Sequence, residues 1–387
     1  MAAITEWGGR FESHPGGLRY LPSGREGRLI FQSRTGLPYL ARPMSTQNQE
    51  RTQPRFLTVD AIDRLKATSG IGKLDFENSI LPLMQLEMQI AYYTACAERD
   101  EIATDNVGVM LTTAAERGQL REALRRLATR WGPYDPEEQL RLRAPIFPTN
   151  SLYRDWLAGQ LRDDVRESRI GLAASPLKAS IEAWRDLRDS LRLVIDGHSL
   201  SSASRRIFFR DYAPMINRLV AGPQWERIAE LLCLIEGGIA DVIVATDSGA
   251  VSYPDSESTF RIEAHVGSSG ADRTDSPLLY NLVSKGTITD LRSTIDIDSI
   301  AVTADGNVIA ADGVPASRIW LFGPAAEGAT YYNHYIPSPG RLSRAQRDAQ
   351  KAVEDCLLHN IRRDGVSSPG RFKAFGLVAT NEPTLVQ

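Results

Sequence analysis

The chain has 387 residues, 42% of them hydrophobic and 24% charged, with a formal net charge of -3 at pH 7. That length can bury a large core in two or three domains, and the slight acidity offers no general attraction to nucleic acid or an anionic membrane. Three widely spaced cysteines, Cys96, Cys233 and Cys356, imply neither a disulfide frame nor a zinc knuckle. No basic leader and no run of about 18 apolar residues occurs, so the expected compartment is cytoplasmic.

In chain order, Leu18 to Leu21 and Arg28 to Phe31 flank the turn-forming run Pro22-Ser23-Gly24-Arg25-Glu26-Gly27, which predicts a hairpin. Met44 to Pro54 reads as a linker. Thr58 caps a helix with Ala61, Ile62 and Leu65 at helical spacing. Ser79 opens a longer helix to about Cys96, with Pro82 in its first turn, where the missing amide hydrogen matters least. Next, Leu120, Leu124 and Leu127 share one helical face, and Arg117, Arg121 and Arg125 another. Ser175-Pro176 starts a helix that turns Leu177, Ile181, Trp184, Leu187, Leu191 and Val194 inward and stops at Gly197. Residues 55 to 215 are therefore expected to be mainly α-helical.

After Gly222-Pro223 the texture changes. Trp225, Ile228, Ala229, Leu232 and Ile235 mark a helix ending at Gly237-Gly238, and Ile239 to Ala245 follows as an apolar strand carrying only Asp241. Helix then strand begins an α/β unit. Residues 259 to 266 alternate as a strand with one wet face. Asp275 or Ser276 with Pro277 starts another helix, and Ile297 to Val302 is expected to pair with Val308 to Ala311. The run Ile319 to Phe322 stops at Gly323-Pro324 and leads through Tyr331-Tyr332-Asn333-His334-Tyr335 to a helix. There Ser343 and Gln346 have capping-box spacing, and Ala345, Ala349, Ala352, Val353, Cys356 and Leu357 form the expected buried stripe.

Several constellations have two readings. Gly197-His198-Ser199-Leu200-Ser201 approximates the serine-nucleophile turn Gly-x-Ser-x-Gly, but the fifth position is Ser201; a glycine stop followed by a serine cap fits the same residues. The five histidines form no zinc pattern, and Asp163-Asp164 and Asp296-x-Asp298 read as solvated pairs rather than cation ligands. The Arg117, Arg121 and Arg125 stripe reads as a solvated face. Arg25 and Arg34 sit in turn-rich segments, where loops commonly carry function. The loop from Gly323 to Gly340 is the densest set of possible ligand contacts, its aromatic rings being able to stack on a flat heterocycle.

The runs Gly17 to Glu26, Ser33 to Arg42, Ala221-Gly222-Pro223, and Asp312-Gly313 through Leu321-Phe322-Gly323-Pro324 resemble, in that order, a bacterial family. It is that of the FAD/NAD(P)-binding flavoproteins, related to flavin-dependent monooxygenases and reductases. The similarity extends from residue 1 to about residue 358 and covers the C-terminal two-thirds of such proteins. It implies a Rossmann-like α/β flavoprotein fold in which residues 1–45 belong to a nested dinucleotide-binding unit. Residues 46–215 would be a helical insertion, 216–358 a returning α/β segment with a flavin-side loop and closing helix, and 359–387 a tail.

Carried over position by position, the resemblance makes Gly323 and Pro324 FAD-proximal, with Glu327, Gly328 and Thr330 behind them, then Tyr332 and Asn333. Arg25 and Arg34 are further candidate cofactor contacts on the strength of their turn-rich segments alone, exposed turn arginines being the equal alternative. The implied cofactors are FAD and NAD(P)H, and the implied chemistry is flavin-dependent oxidation of an unidentified small molecule. No Gly-x-Gly-x-x-Gly occurs in the 387 residues, so the family's pyrophosphate cradle is expected from a missing N-terminal region or a separate FAD-binding chain. Two alternatives stay open: a non-catalytic scaffold of the same fold, and a serine hydrolase using Ser199.

Overall fold

The computed structural model describes residues 8–14, 17–44, 52–70, 73–101, 105–196, 198–244, 276–333 and 344–363. The chain divides into two compact units, one of residues 1–267 with 292–297, the other of residues 268–291 with 298–387. The architecture is α/β, dominated by helices, and the described strands form three two-stranded sheets. The division splits the expected 216–358 segment, because its first helix and strand complete the core of the first unit.

In the first unit β1 (Arg10–His14) pairs antiparallel with β2 (Gly17–Leu21). The hairpin expected between Leu18–Leu21 and Arg28–Phe31 does not form. The intervening turn is closed instead by Glu26, whose carboxylate accepts the Ser23 amide at 2.5 Å, the Gly24 amide at 2.8 Å and the Tyr20 hydroxyl at 2.9 Å. The chain thus leaves the first sheet, and β3 (Leu29–Ser33) pairs in parallel with β4 (Ala240–Val244), Leu29 opposite Ala240 and Ser33 opposite Val244. An intervening helical region is what such a parallel pair requires, since a tight turn cannot join parallel strands.

The helices begin with α1 (Val59–Ser69), capped by Thr58. The long helix α2 (Leu81–Arg99) carries Pro82 at its start, but its opening is not Ser79. Asp75 caps a π-turn, Phe76–Ile80, that runs directly into α2. Helices α3 (Asp105–Glu116) and α4 (Leu120–Trp131) follow. With α2 they enclose Ile90, Tyr93, Ala97, Leu111 and Leu127. Then come α5 (Asn150–Ile170), α6 (Pro176–Asp186, capped by Ser175) and α7 (Arg188–Ile195). The single helix expected from Ser175 to Gly197 is broken at Leu187, which closes α6 and precedes α7; Gly197 lies outside the described residues.

Helix α8 (Ser202–Ile207) continues through a second π-turn, Phe208–Tyr212, into α9 (Ala213–Val220). Helix α10 (Trp225–Glu236) leads to β4. Its inner residues Ile228, Leu232 and Ile235 meet Tyr153, Leu157 and Leu161 of α5, with Ala41 and Ala240 in the same cluster. Gly222 lies so close to the Leu40 carbonyl that a side chain would collide with backbone.

The second unit contains α11 (Pro277–Ser284), capped by Ser276, and β5 (Asn307–Ile309) antiparallel to β6 (Pro315–Trp320). The pairing expected between 297–302 and 308–311 is reduced to a bridge at Val302 and Val308; the ladder partner of β5 is β6, which starts before the Ile319 run. Ile288, Ile300, Val302, Val308, Ala326 and Ala329 form the core.

The closing helix is α12 (Arg344–Arg363). Its apolar stripe is only partly covered: Ala345, Ala352 and Cys356 are half-buried, whereas Ala349 is exposed, Val353 58% exposed and Leu357 56%. Arg344, Asp348 and Asp355 share that half-buried side, with Arg344 and Asp348 paired at 2.9 Å. Ser343, His334, Tyr335 and the expected strand at 259–266 lie outside the described residues. No helix among the described residues is long and apolar enough to cross a membrane, and none of their side chains gather into a metal-binding group.

Candidate functional site

The loop after β6 begins where Leu321 donates its amide to Gly306. Gly323 follows at φ 93°, in the left-handed half of backbone space that favours glycine, with open space where a side chain would stand. Pro324–Ala326 then makes one tight helical turn, closed by the Ala326 amide on the Gly323 carbonyl at 3.0 Å. The Ala329 amide donates to Ser299 Oγ at 3.1 Å, and the Thr330 amide to the Ala326 carbonyl at 2.9 Å, so the loop is fixed to the core beneath it.

Glu327 organises the second half of the loop. Its Oε1 accepts the Tyr332 amide at 3.0 Å, while Oε2 accepts the Asn333 amide at 2.6 Å and Asn333 Nδ2 at 3.0 Å. Asn333 Nδ2 also donates to the Thr330 carbonyl at 3.1 Å. Charge-assisted bonds from a carboxylate to backbone amides are among the stronger ones in proteins. Glu327, Thr330 and Asn333 therefore shape the loop with their own side chains. Tyr331 is buried, 1% exposed, whereas Tyr332 is half-buried at φ 61°, with ring centroids 6.0 Å apart.

Of the nine residues singled out in the sequence, Gly323, Pro324, Glu327, Gly328, Thr330, Tyr332 and Asn333 lie together in this loop of the second unit. Arg25 and Arg34 belong to the first unit. Arg25 is exposed in the turn closed by Glu26, its amide bonded to Ser23 Oγ at 3.2 Å. Arg34 is exposed just past the carboxyl end of β3, in a turn held by the Gly36 amide on Ser33 Oγ and by the Tyr153 hydroxyl on the Gly36 carbonyl.

Ser199, the alternative nucleophile, is 4% exposed. Its carbonyl accepts the Leu74 amide, Leu200 bridges to Leu74, and Ser201 caps α8. The serine-cap reading accounts for Ser201, while the glycine stop at Gly197 lies outside the described residues.

One constellation escaped sequence reasoning. Lys178 is 2% exposed, and its ammonium meets Asp164 Oδ1 at 2.5 Å and the Ala41 carbonyl at 2.9 Å. Asp164 Oδ2 accepts the Ala41 amide at 2.6 Å, and Ser168 Oγ donates to the same Ala41 carbonyl. The Asp163-Asp164 pair is thus not uniformly solvated: Asp163 faces water beside Arg166, while Asp164 lies in the core. Burial pushes the Asp164 carboxyl up, against the pull of Lys178.

Nearby on α6, burial raises the Glu182 carboxyl to about 7, opposed by Arg185, which pairs with it at 2.7 Å. Glu87 is buried too, its Oε1 accepting the amides of Arg55, Phe56 and Leu57. Asp164 and Glu87 hold backbone amides and Glu182 an arginine, and no local sequence pattern announced these roles.

The fit of the second-unit loop to a flavin can be judged from these contacts. A flat ring can approach the open Gly323 backbone and the Tyr332 ring, while Glu327, Thr330 and Asn333 already bond within the loop. A pyrophosphate needs converging backbone amides at a helix N-terminus, which the 387 residues do not signal. Among the described residues, the open backbone at Gly323 and the half-buried Tyr332 are the parts of this loop compatible with a flat ring.

No family model matches the chain. It is similar to nitrosuccinic acid synthase of Aspergillus oryzae, 36% identical over 63% of this chain and 38% of that protein. It is similar to two proteins named L-aspartate N-monooxygenase (nitrosuccinate-forming). The one from Streptomyces davaonensis is 31% identical over 92% of this chain and 59% of its own length. The one from Streptomyces cremeus is 32% identical over 72% and 45%. The similarity is therefore to proteins of both bacterial and fungal origin whose names refer to nitrosuccinate formation, and the chain spans between 38% and 59% of their lengths.

Proposed function

We propose that this chain belongs to a flavin-dependent N-monooxygenase that oxidises the amino group of a small amino dicarboxylate, with L-aspartate the first substrate to test. The observation that carries the reading is similarity along 92% of the chain to a protein named for that reaction. The parallel pair of β3 and β4, with α10 leading into β4, suits a Rossmann-like dinucleotide unit of the FAD/NAD(P)-binding flavoproteins. FAD would supply the redox and oxygen chemistry, with NAD(P)H as reductant, while the protein provides position and electrostatics.

In this reading the loop from Gly323 to Asn333 is the protein's contact with the flavin ring, and the pyrophosphate is gripped by residues outside these 387. FAD added to the purified chain is expected to bind more weakly than about 1 μM, a level worth roughly 8 kcal/mol of binding free energy. Adding the part of the Streptomyces davaonensis protein that lies outside the matched region should tighten FAD binding and give L-aspartate-dependent consumption of NAD(P)H and oxygen. Micromolar binding by the chain alone would refute the external cradle. A chain that stays colourless and inactive with that polypeptide present would favour the scaffold reading.

A further inference from the structure

Tyr332 has a backbone conformation that bulky residues rarely adopt, with φ 61°. A glycine or asparagine would occupy it with less strain. The conformation is maintained by Glu327, whose two carboxylate oxygens accept the successive amides of Tyr332 and Asn333 at 3.0 and 2.6 Å. Beneath it, Tyr331 is fully buried and anchors the turn, and Asn333 is buried against Thr330. One tyrosine of the pair thus serves as a root, while the other is held half-buried, its ring turned 64° from its neighbour's. Strained backbone persists where the surroundings over-determine it, and such positions cluster at ligand clamps.

From this arrangement we infer that Glu327 is a positioning residue that fixes Tyr332, and that the Tyr332 ring is the stacking surface for the isoalloxazine ring of the flavin. The inference rests on the proposed flavin dependence. It assigns Glu327 no direct contact with the cofactor, since both of its oxygens already hold backbone. Aromatic stacking of this kind changes affinity by about two- to tenfold.

FMN is the suitable probe, because it carries the ring without a pyrophosphate and so does not depend on the cradle. Titration of the purified chain, followed by flavin fluorescence, should show quenching on binding. Tyr332→Phe should retain that quenching. Tyr332→Ala should relieve it and weaken FMN binding about two- to tenfold.

Glu327→Gln keeps an acceptor but turns an amide NH2 toward existing donors, and should reproduce the Tyr332→Ala result with little change in thermal midpoint. If Glu327 acts through Tyr332, the double variant should bind FMN no more weakly than Tyr332→Ala alone, a non-additivity that a general loss of structure would not produce. Should Glu327→Gln fail to fold, the Tyr332→Phe and Tyr332→Ala pair decides whether the ring stacks, and Glu327→Asp decides the positioning. Wild-type binding and quenching that survive Tyr332→Ala unchanged would overturn the inference alone. A wild-type chain that binds no FMN would overturn the flavin reading of the loop together with it.

Discussion

Two regions of the molecule use a carboxylate to hold backbone amides, and they do so under opposite conditions. Around Ala41, Asp164 is deep in the core, paired with Lys178, and holds the amide of a residue distant in sequence. In the loop after β6, Glu327 holds two amides where the chain turns through a left-handed tyrosine. The first arrangement joins segments far apart in sequence, residue 41 to residues 164 and 178. The second is local and presents a side chain. The contrast separates a carboxylate that stabilises the fold from one that shapes a surface, although both residues look alike in composition.

The sharpest way to break this comparison is to remove the Lys178 ammonium. Lys178→Ala leaves Asp164 buried without its partner, and loss of one member of a buried pair typically costs about 3–5 kcal/mol. Urea denaturation should show that loss, and a much smaller one for the paired change Asp164→Asn with Lys178→Met, which removes both charges. A loss below about 1 kcal/mol for Lys178→Ala would mean that water reaches the pair.

Next in size is Gly222→Ala. The added methyl would press on the Leu40 carbonyl, next to the residue that the ion pair clamps. Overpacking of this kind costs about 1–3 kcal/mol, and it should lower the urea midpoint without changing the slope.

The pH dependence tests the same region more gently. Burial raises the Glu182 carboxyl from 4.5 to about 7, so the folded chain holds a proton there that the unfolded chain releases earlier. Its contribution to stability is complete below about 4.5 and is lost as pH rises toward 7. Urea midpoints measured across that window should fall with rising pH, and Glu182→Gln should flatten the trend; an unchanged trend would discard the assignment. The smallest effect is expected at the surface. Arg125 pairs with Glu122 on an exposed helix face, and Arg125→Ala should change stability by less than about 0.5 kcal/mol.

What the sequence made legible was local. Thr58, Ser175 and Ser276 each cap the helix expected of them, because the signal and its consequence lie within one turn. At Ser79 the same logic failed by one turn, since Asp75 opens a π-turn whose wider ring no 3.6-residue pattern announces. The strands show the limit more clearly. Leu18–Leu21 and Arg28–Phe31 were recognisable as strands, but their partners were set by Glu26 closing the turn and by β4, far along the chain. In the candidate loop the residue types were legible and their roles were not, because nothing in Glu327 itself says that its acceptors face Tyr332 and Asn333. Asp164 was hidden for a related reason: its neighbour Asp163 is exposed, and adjacent residues on a helix point in different directions.

The pairing of β3 with β4 also sets an order in time. Arg28 and Asp241, which join across this sheet, stand 213 positions apart. Closing so distant a contact requires loop entropy to be overcome before any ladder bond forms. At about 5–20 residues per second of synthesis, β3 emerges roughly ten to forty seconds before its partner exists. The helices from α1 to α10 can assemble in that interval, so nascent chains halted before residue 240 should leave β3 open to protease, and chains extended past residue 244 should protect it.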